Sequence, residues 1–213
     1  MITIAIPKGS LFKPSVQVLE KIGVNFQKDD ASRKLTYFDK DGKYKFIIVR
    51  PMDVPVYVEH GAADLGIVGK DVLNESACSI AELVDLKFGY CKLAIAALRD
   101  QNFKEKGLLP NLRVATKFMH CADKYFRTID LKVEIIKLYG SIELAPIVGL
   151  SDVIVDLVAT GQTLHENGLE IIETIFESTA RFISNKVSFK THYPQIIKMA
   201  QGLKEAVEQE IYQ

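Results

Sequence analysis

Short apolar runs closed by glycine, proline or a polar turn alternate along this chain with stretches whose apolar positions recur at helical spacing. Residues 2–6 predict a buried strand ending at Pro7-Lys8-Gly9-Ser10, and 11–22 an amphipathic helix. Residues 34–38 and 44–49 flank Asp39-Lys40-Asp41-Gly42, a hairpin pattern. Arg50-Pro51 breaks the second strand, and 53–60 reads as a helix stopped by Gly61. Residues 63–69 predict a strand that hands over to a helix reaching about Glu75. Strands follow at 80–86 and 91–98, around Phe88-Gly89-Tyr90, before a polar stretch through Lys106. A second series begins with a strand at 112–116 and a helix at 117–127. It continues with a strand at 133–138, a turn at Tyr139-Gly140-Ser141 and a helical segment over 143–148. Strands at 152–158 and 171–178 and a closing helix over 191–212 complete the pattern. Ile196, Ile197, Ala200, Leu203 and Val207 give that helix its apolar face.

This alternation predicts an α/β fold with mostly parallel sheets flanked by helices. No internal repeat, low-complexity run or proline-rich linker interrupts it, so two lobes would be joined by plain extended crossings near 87–93 and 175–182. The 213 residues suffice for one large or two small domains, and 48% hydrophobic content supplies a core. Basic and acidic residues balance at 27 each, with no basic block, which argues against nucleic acid and requires any anion site to be local. Cys78, Cys91 and Cys121 are scattered and odd in number, as expected of reduced thiols rather than disulfides or zinc ligands. His60, His120, His165 and His192 show no ligand spacing. The opening MITIAIPKGS is too short for a signal segment, and no apolar span of membrane length follows. The expectation is a soluble, cytoplasmic chain without membrane contact.

Candidate chemistry gathers in GLSDVIVDLVATGQTLHENG, residues 149–168. An apolar strand carries Asp156 near its carboxyl end, where open α/β sheets bind ligands. Gly161 then permits a positive φ, Thr160 and Thr163 add hydroxyls, and a helix start offers unpaired amides to a phosphate. The same residues also fit an ordinary strand–turn–helix. Lys8 follows a comparable strand end and is either a charge partner or a solvated turn lysine. Arg33 and Arg50 bound the hairpin strands, as surface arginines or as members of one anion site. Gly66 and Gly69 mark a third strand-to-helix edge, and Phe88 and Tyr90 either stack on a base or pack as core.

Taken together, IPKG (6–9), RKL (33–35), RPMDVPVYVEHGAADLGIVGKDVL (50–73), FGYCKLAIA (88–96) and YGSIELAPIVGLSDVIVDLVATGQTL (139–164) resemble the ATP phosphoribosyltransferase family of histidine biosynthesis. The resemblance runs from the first strand to about residue 185. It is to the short, catalytic form, since the chain stops after one closing helix. The family usually has an arginine where this chain has Ser10. The resemblance implies a two-lobed clamshell like type II periplasmic binding proteins. Its first lobe would be residues 1–90 plus 179–213 and its second 91–178, with the substrates meeting in the cleft. It also implies a separate regulatory subunit related to histidyl-tRNA synthetase, hence a hetero-oligomer.

The implied reaction is ATP + phosphoribosyl pyrophosphate (PRPP) → N1-(5-phosphoribosyl)-ATP + pyrophosphate. Adenine N1 already carries a lone pair, so attack needs neither a general base nor a protein nucleophile. What remains is positioning and stabilisation of separating charge. By the family match Ala159, Thr160, Gly161, Gln162, Thr163 and Leu164 wrap the ribose 5-phosphate. Asp156 holds ribose hydroxyls and favours the developing positive charge. Lys8 and Glu143 belong with PRPP. Arg33 and Arg50 serve pyrophosphate or the ATP phosphates, where a guanidinium fork suits them. Asp71, Tyr90 and Lys92 fall on the ATP side, and Mg²⁺ comes bound to the substrate. Two rival readings are a type I phosphoribosyltransferase and a non-catalytic clamshell that binds a small anion. The first places two adjacent acids before its loop, where Leu157 follows Asp156 here.

Overall fold

The computed structural model describes residues 1–25 and 35–211. The chain divides into two compact units, Met1–Gly89 with Thr179–Gln213, and Tyr90–Ser178. The chain therefore passes from one to the other twice, at Gly89–Tyr90 and at Ser178–Thr179.

Unit 1 opens with β1 (Ile2–Pro7) and α1 (Phe12–Lys21), followed by β2 (Thr36–Phe38) and β3 (Tyr44–Val49). The hairpin turn is held by Asp39, whose carboxylate accepts from Tyr44 N at 2.7 Å. Next come α2 (Val54–Glu59), β4 (Leu65–Gly69), α3 (Lys70–Ser76) and β5 (Ala81–Asp85). Unit 2 contains β6 (Cys91–Leu98), α4 (Phe103–Lys106), β7 (Arg113–Thr116), α5 (Met119–Thr128) and β8 (Glu134–Lys137). It continues with α6 (Leu144–Ile147), β9 (Val153–Val158), α7 (Gln162–Glu166) and β10 (Leu169–Ser178). The return to unit 1 adds β11 (Ala180–Ser184), α8 (Lys186–Thr191) and α9 (Tyr193–Ile211).

The unit 1 sheet runs β2-β3-β1-β4-β11-β5, and the unit 2 sheet runs β10-β6-β9-β7-β8. The α/β class with flanking helices is present, but the sheets are mixed rather than mostly parallel. β1 is parallel to β3 and β4, and β7 to β8 and β9, as strand–helix–strand crossovers require. The strands nearest the two crossings pair antiparallel: β6 with β10 and β9, and β11 with β4 and β5. A segment that leaves a unit and later returns lays its inbound strand against its outbound one, a pairing that periodicity does not encode.

Alternation along each strand sends one set of side chains to each face. In unit 1, Ile4, Ile6, Phe46, Leu65, Ile67 and Phe182 meet α1 and α9, while Ala5, Val68 and Ile183 meet α2 and α3. Full burial of side chains such as Phe46 and Phe182 contributes about 1.5–3 kcal/mol each. In unit 2, Leu93, Ile95, Val114, Val153 and Val155 pack under α5. The opposite face holds Ala94, Ala96, Ala115, Ile154 and Val158, covered by α6 and α7.

Two further departures concern the end of the chain. Residues 180–184, which overlap the crossing expected at 175–182, form β11, and a short additional helix, α8, precedes the closing helix, which is α9. Asn185 starts α8 by accepting from Val187 N and Ser188 N at 2.8 and 3.0 Å. α8 ends at Thr191, and Pro194, which has no amide hydrogen to donate backward, sits in the first turn of α9. The polar stretch after β6 also folds, into a 3₁₀ turn and α4. No described helix is long and apolar enough to cross a membrane.

Candidate active site

The carboxyl ends of β7, β8 and β9 share one edge of the unit 2 sheet, because the three strands run parallel. Asp156 is the fourth residue of β9 and shares a face with Ile154 and Val158. Its neighbour across β6 is Ala94, and small Ala96 and Ala115 lie on the same face. Burial pushes the Asp156 carboxyl above its ordinary range. The Leu157 amide, donating to it at 2.8 Å, pulls it down, Glu143 pushes it up further, and Lys117 draws it down. In its charged form this carboxylate can accept hydroxyl hydrogen bonds and favour a cation beside it.

Directly after β9 the backbone turns at Gly161, whose φ of 80° lies in the left-handed region that glycine adopts without strain. α7 makes its first backbone bond from His165 N to Gly161 O at 3.0 Å. The Thr163 and Leu164 amides precede that bond and so open toward an anion. Leu164 is buried in the core with Val158, while Ala159, Thr160, Gln162 and Thr163 are exposed. Gln162 Nε2 donates to Glu166 at 2.8 Å, and Asn167 Nδ2 to Thr163 O at 2.9 Å, which stiffens the short helix behind the loop. Arg99 ties down its far end by donating to His165 O and, through its amide, to Gly168 O.

Lys92, on β6, faces Val158 one row from Asp156, so it stands beside the start of this loop. Tyr90 is half-exposed, and its hydroxyl donates to Glu177 at 2.8 Å; that bond pushes the phenol up from its usual range. Glu143 immediately precedes α6. Lys117 joins this group without having been singled out in the sequence. Its signal was the one used for Asp156, a charged residue at the end of an apolar strand.

In unit 1 a second edge forms where β3, β1 and β4 end side by side. Pro7 pairs with Val49, and the Lys8 amide donates to Val49 O at 2.8 Å, so Lys8 and Arg50 leave the sheet as neighbours. Both side chains are exposed, and among the described residues neither has an ion-pair partner. Lys70 begins α3 beyond β4 and pairs with Glu82 at 2.5 Å. Asp71 is buried in the first turn of α3, its carboxylate folded back over Gly69. Arg33 lies outside the described residues. Among the described residues no three His, Cys, Asp or Glu side chains gather as a metal site.

A family model described as "HisG: ATP phosphoribosyltransferase" matches residues 50–205. The chain is 53% identical over 209 residues to the ATP phosphoribosyltransferase of Thermoanaerobacter sp. (strain X514), covering 97% of this chain and 96% of that protein. Among solved structures, it is similar to the ATP phosphoribosyl transferase (HisG:HisZ) complex from Thermotoga maritima. There the TM-score is 0.83 and the identity 36%, over 98% of this chain and 100% of that one. It also matches the fold of the periplasmic aliphatic sulphonate binding protein SsuA from Escherichia coli. That likeness has a TM-score of 0.63 at 14% identity, over 97% of this chain and 72% of the other.

Proposed function

This chain belongs to the ATP phosphoribosyltransferase family, and from that premise we propose which of its residues handle each substrate. The enzyme condenses ATP with PRPP to N1-(5-phosphoribosyl)-ATP and pyrophosphate, the first step of histidine biosynthesis. The observation that carries the assignment is the continuity of Asp156 with the Gly161 turn and the Thr163 and Leu164 amides that precede the first backbone bond of the following helix.

Residues 159–164 take the ribose 5-phosphate, with the Thr163 and Leu164 amides and the Thr160 and Thr163 hydroxyls as donors. Asp156 accepts from the ribose hydroxyls and, as the bond to pyrophosphate stretches, stabilises the positive charge on the ring. Adenine N1 attacks with its own lone pair, so no side chain has to remove a proton. Arg50 and Lys8 neutralise phosphate oxygens, which lowers the barrier where the leaving group gains negative charge. Glu143 helps orient PRPP; Asp71, Tyr90 and Lys92 orient ATP. Mg²⁺ enters as part of the substrate, bound by phosphate oxygens.

The Thermotoga maritima HisG:HisZ complex supports a second, regulatory subunit for this chain, hence a hetero-oligomer of the short form. Its place is the cytoplasm, where both substrates are made. The test is the adenine absorbance change on N1 alkylation, followed with ATP, PRPP and Mg²⁺ for the chain alone and with a regulatory subunit. A rate in either mixture is expected. PRPP binding without turnover in both would make the chain an anion-binding clamshell.

A further inference from the structure

Lys117 directly follows Thr116, the last residue of β7. Thr116 is fully buried and held from two sides: its hydroxyl donates to Val155 O at 2.6 Å and accepts from Phe118 N at 2.8 Å. The backbone at 117 is thus fixed between two anchored neighbours. β7 and β9 are parallel with Thr116 opposite Val155, so the next step along both strands sets residue 117 abreast of Asp156. On the other side of β9, β6 presents only Ala94 at that level, and Lys92 stands one row further on, opposite Val158. Glu143, entering α6, brings a like charge to the same carboxyl. The charged groups around Asp156 are therefore Glu143, Lys117 and Lys92, with Lys117 the cation at its own level.

We propose that Lys117 is a positioning residue for phosphoribosyl transfer: its ammonium, level with Asp156, favours the ionised form of that carboxyl at the ribose ring. A half-buried carboxylate beside a second carboxylate gains a proton easily, and a nearby cation opposes that tendency. Protonated, Asp156 would lose an acceptor for the ribose hydroxyls and could no longer favour a cationic ring. The ammonium acts through the carboxyl by making its charged form less costly. The proposal rests on the reading of Asp156 as a PRPP residue.

The test follows the ¹³Cγ resonance of Asp156 through a pH titration of the full chain, assigned by its loss in Asp156→Asn. Wild type, Lys117→Met and Lys117→Arg are compared. The midpoint rises in Lys117→Met and returns toward the wild-type position in Lys117→Arg. In parallel, kcat/KM for PRPP falls several-fold at the acid end of the profile in Lys117→Met and recovers at alkaline pH. An unmoved midpoint in Lys117→Met, or equal behaviour of the two variants, overturns the role of Lys117. A moved midpoint together with undiminished PRPP affinity in Asp156→Asn overturns the proposal through its premise instead.

Discussion

The Asp71 carboxylate occupies the space that a Cβ on Gly69 would fill. Gly69 has a φ of −68°, which any residue adopts, so glycine is required here for room and not for conformation. Gly69→Ala pushes a buried acid out of the first turn of α3. We expect a loss of about 1–3 kcal/mol in stability, the usual range for overpacking. ATP affinity should drop with it, read from a binding isotherm. Full ATP affinity in a folded Gly69→Ala protein would take Asp71 out of the ATP site.

Arg50 stands next to Lys8 at the end of paired strands. If its guanidinium meets negative charge that grows during bond cleavage, its removal acts on turnover more than on binding. Arg50→Ala should lower kcat by about 10²-fold or more, as for loss of one oxyanion donor. A kcat near the wild-type value would show that the arginine is a surface residue.

Thr163 offers a hydroxyl and an amide ahead of the first backbone bond of α7. Thr163→Ala removes the hydroxyl together with the γ-methyl and leaves the amide, so the expected effect is weaker PRPP binding, with ATP binding intact. Titration with PRPP alone measures it, and an unchanged dissociation constant would contradict the loop assignment.

Asp156 titrates above its unfolded counterpart because burial and Glu143 outweigh the Leu157 amide and Lys117. Between the two values the native state binds more protons. Its contribution to stability is thus complete below the unfolded value and lost as pH rises through the folded one. Asp156→Asn escapes that loss. Its Tm should exceed the wild type's at neutral and alkaline pH, with the gap closing toward acid, while turnover collapses. A variant less stable than the wild type at alkaline pH would show that Asp156 is fully paired in the native state.

Asn185 uses every polar atom of its side chain. It accepts from two amides at the start of α8, and its Nδ2 donates to Val58 O and Glu59 O at 2.8 and 3.0 Å. Asn185→Ala removes the cap and takes one donor from each of the Val58 and Glu59 carbonyls, though Val58 O keeps the Gly61 amide, at a cost of about 1–3 kcal/mol. Chemical denaturation measures the loss; kcat of the folded fraction should be unaffected.

Elements bounded by their own turn chemistry were legible from the chain alone. β1, the β2–β3 hairpin, α2 with Gly61 after it, and the passage from β9 into α7 all follow from neighbouring residues. β11 was not, because only Thr179 separates it from β10 and no turn residue marks the change. What changes there is the partner, from β6 to β4 and β5, and partner choice is settled by distant strands. The same limit divides the site. Asp156 and the loop after it are contiguous, so their association is written in one stretch. Lys117 reaches Asp156 only through the pairing of β7 with β9.

β11 fills the slot between β4 and β5, and Gly69 pairs with Ala180 across it. The ribosome releases both neighbours long before it makes that strand, with all of 90–178 in between. A nascent chain therefore holds Leu65, Ile67 and Val84 on an interrupted sheet while the intervening segment, which is continuous, can close on itself. The first residues to be born are the last to be completed, and an apolar gap awaiting its strand is what a chaperone would have to cover.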